Sequence, residues 1–370
     1  MNSFKRADNL TVQDHNSSSV PYMPQLDALR AFAVFFVLIQ HWLTDRNWLL
    51  YVPFGMIGVT LFFVLSGFLI SYILLQSKLN AEVMNTSILQ IIKQFYIRRT
   101  LRIFPIYYIT LIVLFIFNIE NIRDMISWFV FYSSNIYFYL IHDWVGLLSH
   151  LWTLAVEEQF YILWPFIILF SPKKYLLKIL IIIILLGPVS RSVLYFFSDG
   201  SELSVDLISI LMPTCMDCFG LGALLAYIRI NTERNFQLKN IYASIFLLLN
   251  ILFLIICGFF EENIVKVFFY RFSVSIISLF LIAKAASGFK GPLKRIFENK
   301  ILLFFGKISY SIYLFHAFIP KLYEYFNLPG SENIYIQFLL QGTILTLISS
   351  LSWIIIEKPI IGLKRKFRYN

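Results

Sequence analysis

The chain has 370 residues, 59% of them hydrophobic and only 14% charged, with a formal net charge of +10. Apolar runs of about twenty residues recur from end to end, which excludes a soluble globular domain and a disordered chain alike. The positive excess is what a multi-pass protein gathers on its cytoplasmic side, helped by attraction to anionic lipid, and it calls for no nucleic-acid partner.

Residues 1–22 are polar and rich in Ser and Asn, without an apolar stretch behind a basic start, and read as a short disordered cytoplasmic tail rather than a cleaved signal. Spans are predicted near 26–43, 54–75, 103–118, 151–170, 175–196, 206–228, 240–260, 264–286, 301–320 and 334–356, with 125–141 ambiguous. Charge resolves the ambiguity. If 125–141 does not cross, the basic groups Lys5 and Arg6, Lys78 to Arg102, Lys173 to Lys178, Arg229 to Lys239, Lys284 to Lys300 and Lys358 to Arg368 all fall on one side. The acidic loops with Asp199, Glu202, Glu261, Glu262, Glu324 and Glu332 then fall on the other. A crossing at 125–141 would invert every later loop against the positive-inside rule. The expected architecture is an all-α membrane protein, a polytopic bundle of about ten transmembrane helices with both termini cytoplasmic. Residues 125–141 are expected to be re-entrant or interfacial. The membrane unit is expected to cover 23–360 and a basic cytoplasmic tail 361–370. The three cysteines, Cys215, Cys218 and Cys257, lie in apolar runs, so a disulfide framework is not expected, and the lone CxxC pair argues against a zinc site.

The first span carries Asp27, Arg30 and His41. Ionisable groups in a bilayer are costly and read by default as functional. Asp27 precedes Arg30 by three residues, close enough to pair with it on a helix. Eleven residues from Arg30 to His41 rise about 16 Å, so the two share a face but not one atom of substrate. The second span, with Gly55, Gly58 and Gly67, reads first as close helix packing, and Ser66 as an acyl-carrying nucleophile is the lesser reading. Arg98, Arg99 and Arg102 stand at the expected entrance of the third span, where Pro105 is expected to fix the turn into the helix. They are either an anchor in the positive-inside sense or a fork for phosphate oxygens. In His150-Leu151-Trp152-Thr153-Leu154-Ala155-Val156-Glu157-Glu158-Gln159-Phe160-Tyr161 two adjacent carboxylates open the fourth span. Glu157 lies one turn from Thr153 and from Tyr161 and is expected to face the interior, with Glu158 turned away. Ser309, Tyr313 and His316 recur at helical spacing in the ninth span, bringing His316 to the depth of His41. A histidine on such a face is also often only a satisfied interhelical hydrogen bond.

Five ordered motifs, Leu26-Asp27-x-Leu29-Arg30 with His41, Gly58-Val59-x-Leu61-Phe62-Phe63-Val64-Leu65-Ser66-Gly67-Phe68-Leu69-Ile70, Arg98-Arg99-x-x-Arg102-Ile103-x-Pro105, the stretch from Leu151 to Tyr161, and Ser309-Tyr310-x-x-Tyr313-Leu314-x-His316, together resemble the acyltransferase-3 family of integral membrane O-acyltransferases. The resemblance covers roughly 23–360. It implies transfer of an acyl group, usually acetyl, from cytoplasmic acetyl-CoA to a hydroxyl of an envelope carbohydrate such as O-antigen or exopolysaccharide, free or lipid-linked, at a bacterial inner membrane. Acetyl-CoA is then a co-substrate, and no permanently bound cofactor or metal is expected. Arg30 and His41 match the family's Arg-x10-His pair, and Thr153 stands where many members have serine, which keeps the hydroxyl. Arg98, Arg99 and Arg102 would hold the nucleotide phosphates while the pantetheine arm carries the thioester into the bundle. His41, oriented by a neighbour such as Glu157, would be the general base, and Asp27, His150, Trp152, Thr153, Glu158, Tyr161, Ser309, Tyr313 and His316 would support the acceptor site. Some members carry a further extracytoplasmic hydrolase-like domain. This chain stops at Asn370, so transfer is expected to finish without one or with a separate partner. The other class that such a bundle admits is a transporter or flippase of envelope glycan or lipid-linked sugar. Pro165, Pro188 and Pro213 interrupt spans, but no matched halves accompany them.

Overall fold

The computed structural model describes residues 22–43, 52–231, 241–257, 263–328 and 333–367. The tail expected over 1–22 therefore lies outside the described residues save for Tyr22, as do Arg234, Lys239, Glu261, Glu262, Glu332 and the last three residues of the basic tail. The described residues are mostly helical and form no strand. In chain order the helices are α1 (Pro24–Trp42), α2 (Phe54–Met84), α3 (Ile88–Ile116), α4 (Ile122–Val130), α5 (Ser134–Ile141), α6 (Trp152–Phe170), α7 (Lys173–Phe196) and α8 (Glu202–Ser209). There follow α9 (Met216–Asn231), α10 (Ile241–Cys257), α11 (Ile264–Ser287), α12 (Gly291–Phe297), α13 (Lys300–Phe315), α14 (Ile319–Tyr325), α15 (Ile334–Ser352) and α16 (Lys358–Gly362).

Seven helical stretches among the described residues are long and apolar enough to cross a bilayer: Phe54–Met84, Ile88–Ile116, Gly146–Phe170, Lys173–Phe196, Ile264–Ser287, Lys300–Tyr325 and Ile334–Gly362. An eighth is gained if α8 and Pro213–Asn231, which meet at 83°, count as one bent span. The expected ten are not reached, for two physical reasons. α1 has 19 residues but is diluted by Gln25, Asp27, Arg30, Gln40 and His41, and α10 has only 17. The helix that carries the expected chemistry is thus too polar to count as a span by apolarity. Large apolar side chains such as Ile112, Ile182, Leu248 and Leu347 stand exposed on α3, α7, α10 and α15, as lipid-facing surfaces require. Residues 125–141 are not one helix. The chain passes from α4 to α5 through Tyr132, whose φ of 51° breaks the helical path.

α2 is the central helix, packed on α1, α6, α9 and α11. Gly55 lies against Gln40 and Gly58 against the Ala33 carbonyl, so α1 and α2 run in opposite directions. A Cβ at Gly67 would run into the backbone of Phe219, and one at Gly222 into the backbone of Val64 and Phe68. These glycines serve close helix packing, as the sequence indicates, and they fix Ser66 on a rigid crossing. Gly306 likewise brings α13 onto the Asp27 carbonyl.

α3 corrects one expectation. It starts at Ile88, well before the predicted span, because Ile88, Ile91, Ile92 and Phe95 continue a core-facing stripe beyond the arginines. Arg98, Arg99 and Arg102 therefore sit in mid-helix, and Pro105 lies inside the helix rather than at its entrance.

The bend between α8 and α9 is pinned by charge. Arg191 of α7 donates to Asp217 Oδ2 at 2.8 Å and Oδ1 at 3.1 Å, to the Thr214 carbonyl at 2.5 Å and to the Val267 carbonyl at 3.1 Å. Arg271 of α11 donates to the Ser209 carbonyl and to Cys215 Sγ.

Candidate active site

Arg30 Nη1 donates to Asp27 Oδ1 at 2.5 Å, and the Tyr22 hydroxyl donates to Asp27 Oδ2 at 2.7 Å. This pairing, legible in the three-residue spacing, holds the guanidinium at the wall of two connected hollows. The larger is a vestibule of about 600 Å³ whose walls carry Arg30, Arg98, Arg99, Arg102, Lys307 and Lys364 against only Asp27 and Glu357. The smaller, about 90 Å³, shares Arg30, Leu69, Arg99, Arg102 and Tyr310 with it and runs past Ser66, Glu157 and Tyr161 to Thr153 and Tyr313.

The three arginines do not act alike. Arg98 donates to the carbonyls of Phe367 at 2.9 Å and Lys364 at 3.3 Å, so it fastens the segment after α16 to the vestibule rim. Of the basic tail expected over 361–370, Ile361 and Lys364 line the vestibule. The Arg99 guanidinium lies over the Tyr161 ring, 4.3 Å from its centroid. Neither Arg99 nor Arg102 makes a hydrogen bond to any described residue. Two guanidinium groups with ten N–H donors between them line the hollows, and no described residue accepts from them. Burial, with Arg102, Arg99 and Arg98 beside it, holds the Lys364 ammonium down at about 6.

α6 presents its two carboxylates to different surroundings. Glu157 faces the narrow cavity, where Ser66 Oγ donates to its Oε1 at 2.7 Å and lies 3.1 Å from the Tyr161 hydroxyl. Glu158, expected to turn away from the interior, is buried too, with Oε1 unpartnered among the described residues. α6 is enclosed on both flanks, by α2 and by α5. Trp152 meets Phe63 edge-on at 6.0 Å, and Ser309 donates to the Gly306 carbonyl of its own helix at 2.9 Å while lining the cavity.

At the far end of the cavity Thr153 donates to the Tyr313 hydroxyl at 2.7 Å, which donates to the His150 carbonyl at 3.2 Å. Beyond this pair stand three histidines. The His316 ring lies 4.9 Å, centroid to centroid, from both His41 and His150. His316 Nδ1 is 2.6 Å from the Tyr313 carbonyl, which only accepts, so Nδ1 carries the hydrogen. Nε2 is then a buried lone pair without a partner among the described residues. Both nitrogens of His150 face carbonyls, Leu147 at 3.0 Å and Leu314 at 3.1 Å; the neutral ring donates to one of them, and the other carbonyl oxygen covers its lone pair. His41 ends α1 exposed and makes no hydrogen bond to a described residue. The expected orientation of His41 by Glu157 is corrected here: Glu157 is held by Ser66 on the cavity wall, and His41 packs on His316.

Sequence reading missed Glu357 and Lys364. Glu357 lies in a π-turn, Trp353–Glu357, accepts from Ser311 and from Ser352, and faces the vestibule. The signal was present: a lone acid closing the apolar run Ile354-Ile355-Ile356 is an intramembrane carboxylate in need of a partner.

Residues 23–357 match the model of a family described as an acyltransferase domain. The chain is similar to the peptidoglycan O-acetyltransferase OatA of Listeria monocytogenes, 34% identical over 373 residues that cover 92% of this chain and 56% of the relative. It is also similar to the O-acetyltransferase OatA of Staphylococcus aureus, 31% identical over 366 residues, 92% of this chain and 57% of the relative. The chain thus spans little more than half the length of the curated relatives it matches. No solved structure matches it. With the five motifs lining a single path through the bundle and the family match covering almost all of the described helices, this chain belongs to the acyltransferase-3 family of integral membrane acyltransferases.

Proposed function

We propose that the protein is a membrane O-acetyltransferase that takes acetyl from acetyl-CoA in the cytoplasm and delivers it to a hydroxyl of an envelope carbohydrate on the other side. One observation carries the reading: a basic vestibule narrows into a cavity that ends beneath a histidine cluster. Arg99 and Arg102, with Arg30 and Lys364, receive the nucleotide phosphates. A guanidinium is always charged and meets phosphate oxygens two at a time, which suits a polyanionic donor. The pantetheine arm occupies the narrow cavity and presents the thioester beyond Thr153 and Tyr313. His41, exposed to the acceptor side, takes the proton of the attacking hydroxyl, since an imidazole titrates near the working pH. His316 takes the supporting place that Glu157 was expected to fill, with the Nε2 lone pair able to receive a hydrogen bond from the acceptor or from His41. The peptidoglycan named for the Listeria relative supports a glycan as acceptor, and nothing in the relatives' names favours a transporter.

Incubating the full chain in nanodiscs with labelled acetyl-CoA and a set of envelope glycans tests this. Label should appear on glycan hydroxyls in the wild type. Release of labelled acetate alone, or movement of unmodified glycan across a sealed vesicle, would overturn the reading.

A further inference from the structure

The narrow cavity contains more polar chemistry than a passage for an apolar chain needs. Its volume, about 90 Å³, is below the about 150 Å³ that accommodates one benzene ring. It nevertheless extends along α6 from Thr153 to Tyr161, a rise of about 12 Å. A passage this narrow excludes anything wider than a single extended chain. Toward its vestibule end sits a rung of Ser66, Glu157 and Tyr161, with Arg99 over the tyrosine ring. A carboxylate accepts at about four lone-pair positions; Ser66 fills one on Oε1 and the Tyr161 hydroxyl at most one more. An acceptor with spare capacity, next to a tyrosine hydroxyl that can turn to a new acceptor, is the complement of an amide, which offers one N–H and one C=O.

We infer that the Ser66–Glu157–Tyr161 rung reads an amide of the donor's arm, so that the cavity selects an amide-bearing thioester carrier and sets how far its acyl end reaches. Glu157 accepts the amide N–H while keeping the hydrogen bond from Ser66, and the Tyr161 hydroxyl, turned from Ser66 Oγ, donates to the amide carbonyl. The inference rests on the donor reading above and deepens it. No bond is made or broken at the rung. Ser66 and Glu157 are positioning residues for the arm, and the thioester reacts farther on, beyond Tyr313.

The test is equilibrium binding of coenzyme A to the full chain in nanodiscs, which needs no turnover. The probes are coenzyme A and an analogue in which both pantetheine amides are replaced by esters, so that length is kept and N–H is lost. Wild-type protein should bind the ester analogue about ten- to a hundredfold more weakly, the range for a hydrogen bond to a charged group. In Glu157→Ala that preference should shrink to within about threefold, while Ser66→Ala should weaken coenzyme A without abolishing the preference. Glu157→Gln, whose side-chain oxygen still accepts, should retain part of the preference and guards against a folding defect in the alanine variant. An undiminished preference in Glu157→Ala, equal binding of both probes by the wild type, or an acetyl ester found on Ser66 after exposure to acetyl-CoA would each overturn the inference. Failure of the parent reading looks different: the wild type would discriminate the probes yet transfer no acetyl to glycan.

Discussion

Two places in this bundle enclose arginine among apolar helices, and they treat it in opposite ways. Arg191 has its guanidinium filled by both oxygens of Asp217 and by the carbonyls of Thr214, Val267 and Phe268. Arg99 and Arg102 line two connected hollows and have no hydrogen-bonded partner among the described residues. A buried charge whose donors are all met is part of the scaffold, since breaking the set leaves an uncompensated charge. A charge left with open donors beside a hollow is held ready for something that arrives. The same contrast divides the histidines, with both nitrogens of His150 covered by carbonyls and His316 keeping a bare Nε2 next to an exposed His41.

The largest effect that would break the contrast belongs to His41. As general base it should lose about a hundred- to ten-thousandfold in rate as His41→Gln, with membrane abundance unchanged. His150→Ala should do the reverse, lowering the thermal midpoint of the purified protein while the surviving fraction keeps its activity per folded molecule. An active His41→Gln enzyme would remove His41 from the chemistry and pass the role to His316.

Next comes Asp217→Ala. It strands Arg191 and should cost about 3–5 kcal/mol of stability, read as loss of folded protein in detergent. The double variant Arg99→Lys with Arg102→Lys should leave folding untouched and weaken donor binding about tenfold or more, because an ammonium keeps the charge but loses the planar fork. If the lysine pair unfolded the protein and Asp217→Ala did not, the assignment of scaffold and site would have to be exchanged.

Much of this division was written in the sequence, and some was not. The Asp27–Arg30 pair followed from i,i+3 spacing, and the glycines of α2 announced close packing, because both are local relations on one helix. The contacts of Glu157 did not follow. Helical spacing gives the face on which a side chain lies but not which neighbouring helix fills that face, and α2 brings Ser66 there where His41 was expected. The arginines were placed at a helix entrance because hydropathy falls where charge begins, whereas α3 continues through them on a stripe of Ile91, Ile92 and Phe95. The described residues reach seven or eight spans rather than ten because α1 is diluted by polar residues, α10 is short, and the stretch through Pro213 is bent by 83°. Arg191, Asp217 and Arg271 escaped notice because their partners are distant in sequence and largely backbone.

The smallest effect is a pH dependence, and Lys364 provides it. It lies after the last membrane-spanning helix, in the vestibule wall, with its ammonium held down at about 6 by burial and by Arg102, Arg99 and Arg98. Phosphates arriving among these groups favour the charged form and raise that value in the complex. Below about 6 the lysine is protonated with and without donor, and this group adds no slope. Above it the free chain holds a neutral amine, so binding must take up a proton. Donor affinity should then weaken by up to about tenfold for each further pH unit until the bound-state value is reached. A phosphate monoester ionises near pH 6 in the opposite sense, gaining charge and strengthening binding as pH rises. The two slopes are separated by Lys364→Met, which keeps bulk and removes the titration: its affinity for coenzyme A should rise or stay level from pH 6 to 8, while that of the wild type falls relative to it. Identical pH profiles for the two proteins would show that Lys364 does not meet the donor and that Arg98 fastens this segment for structural reasons alone.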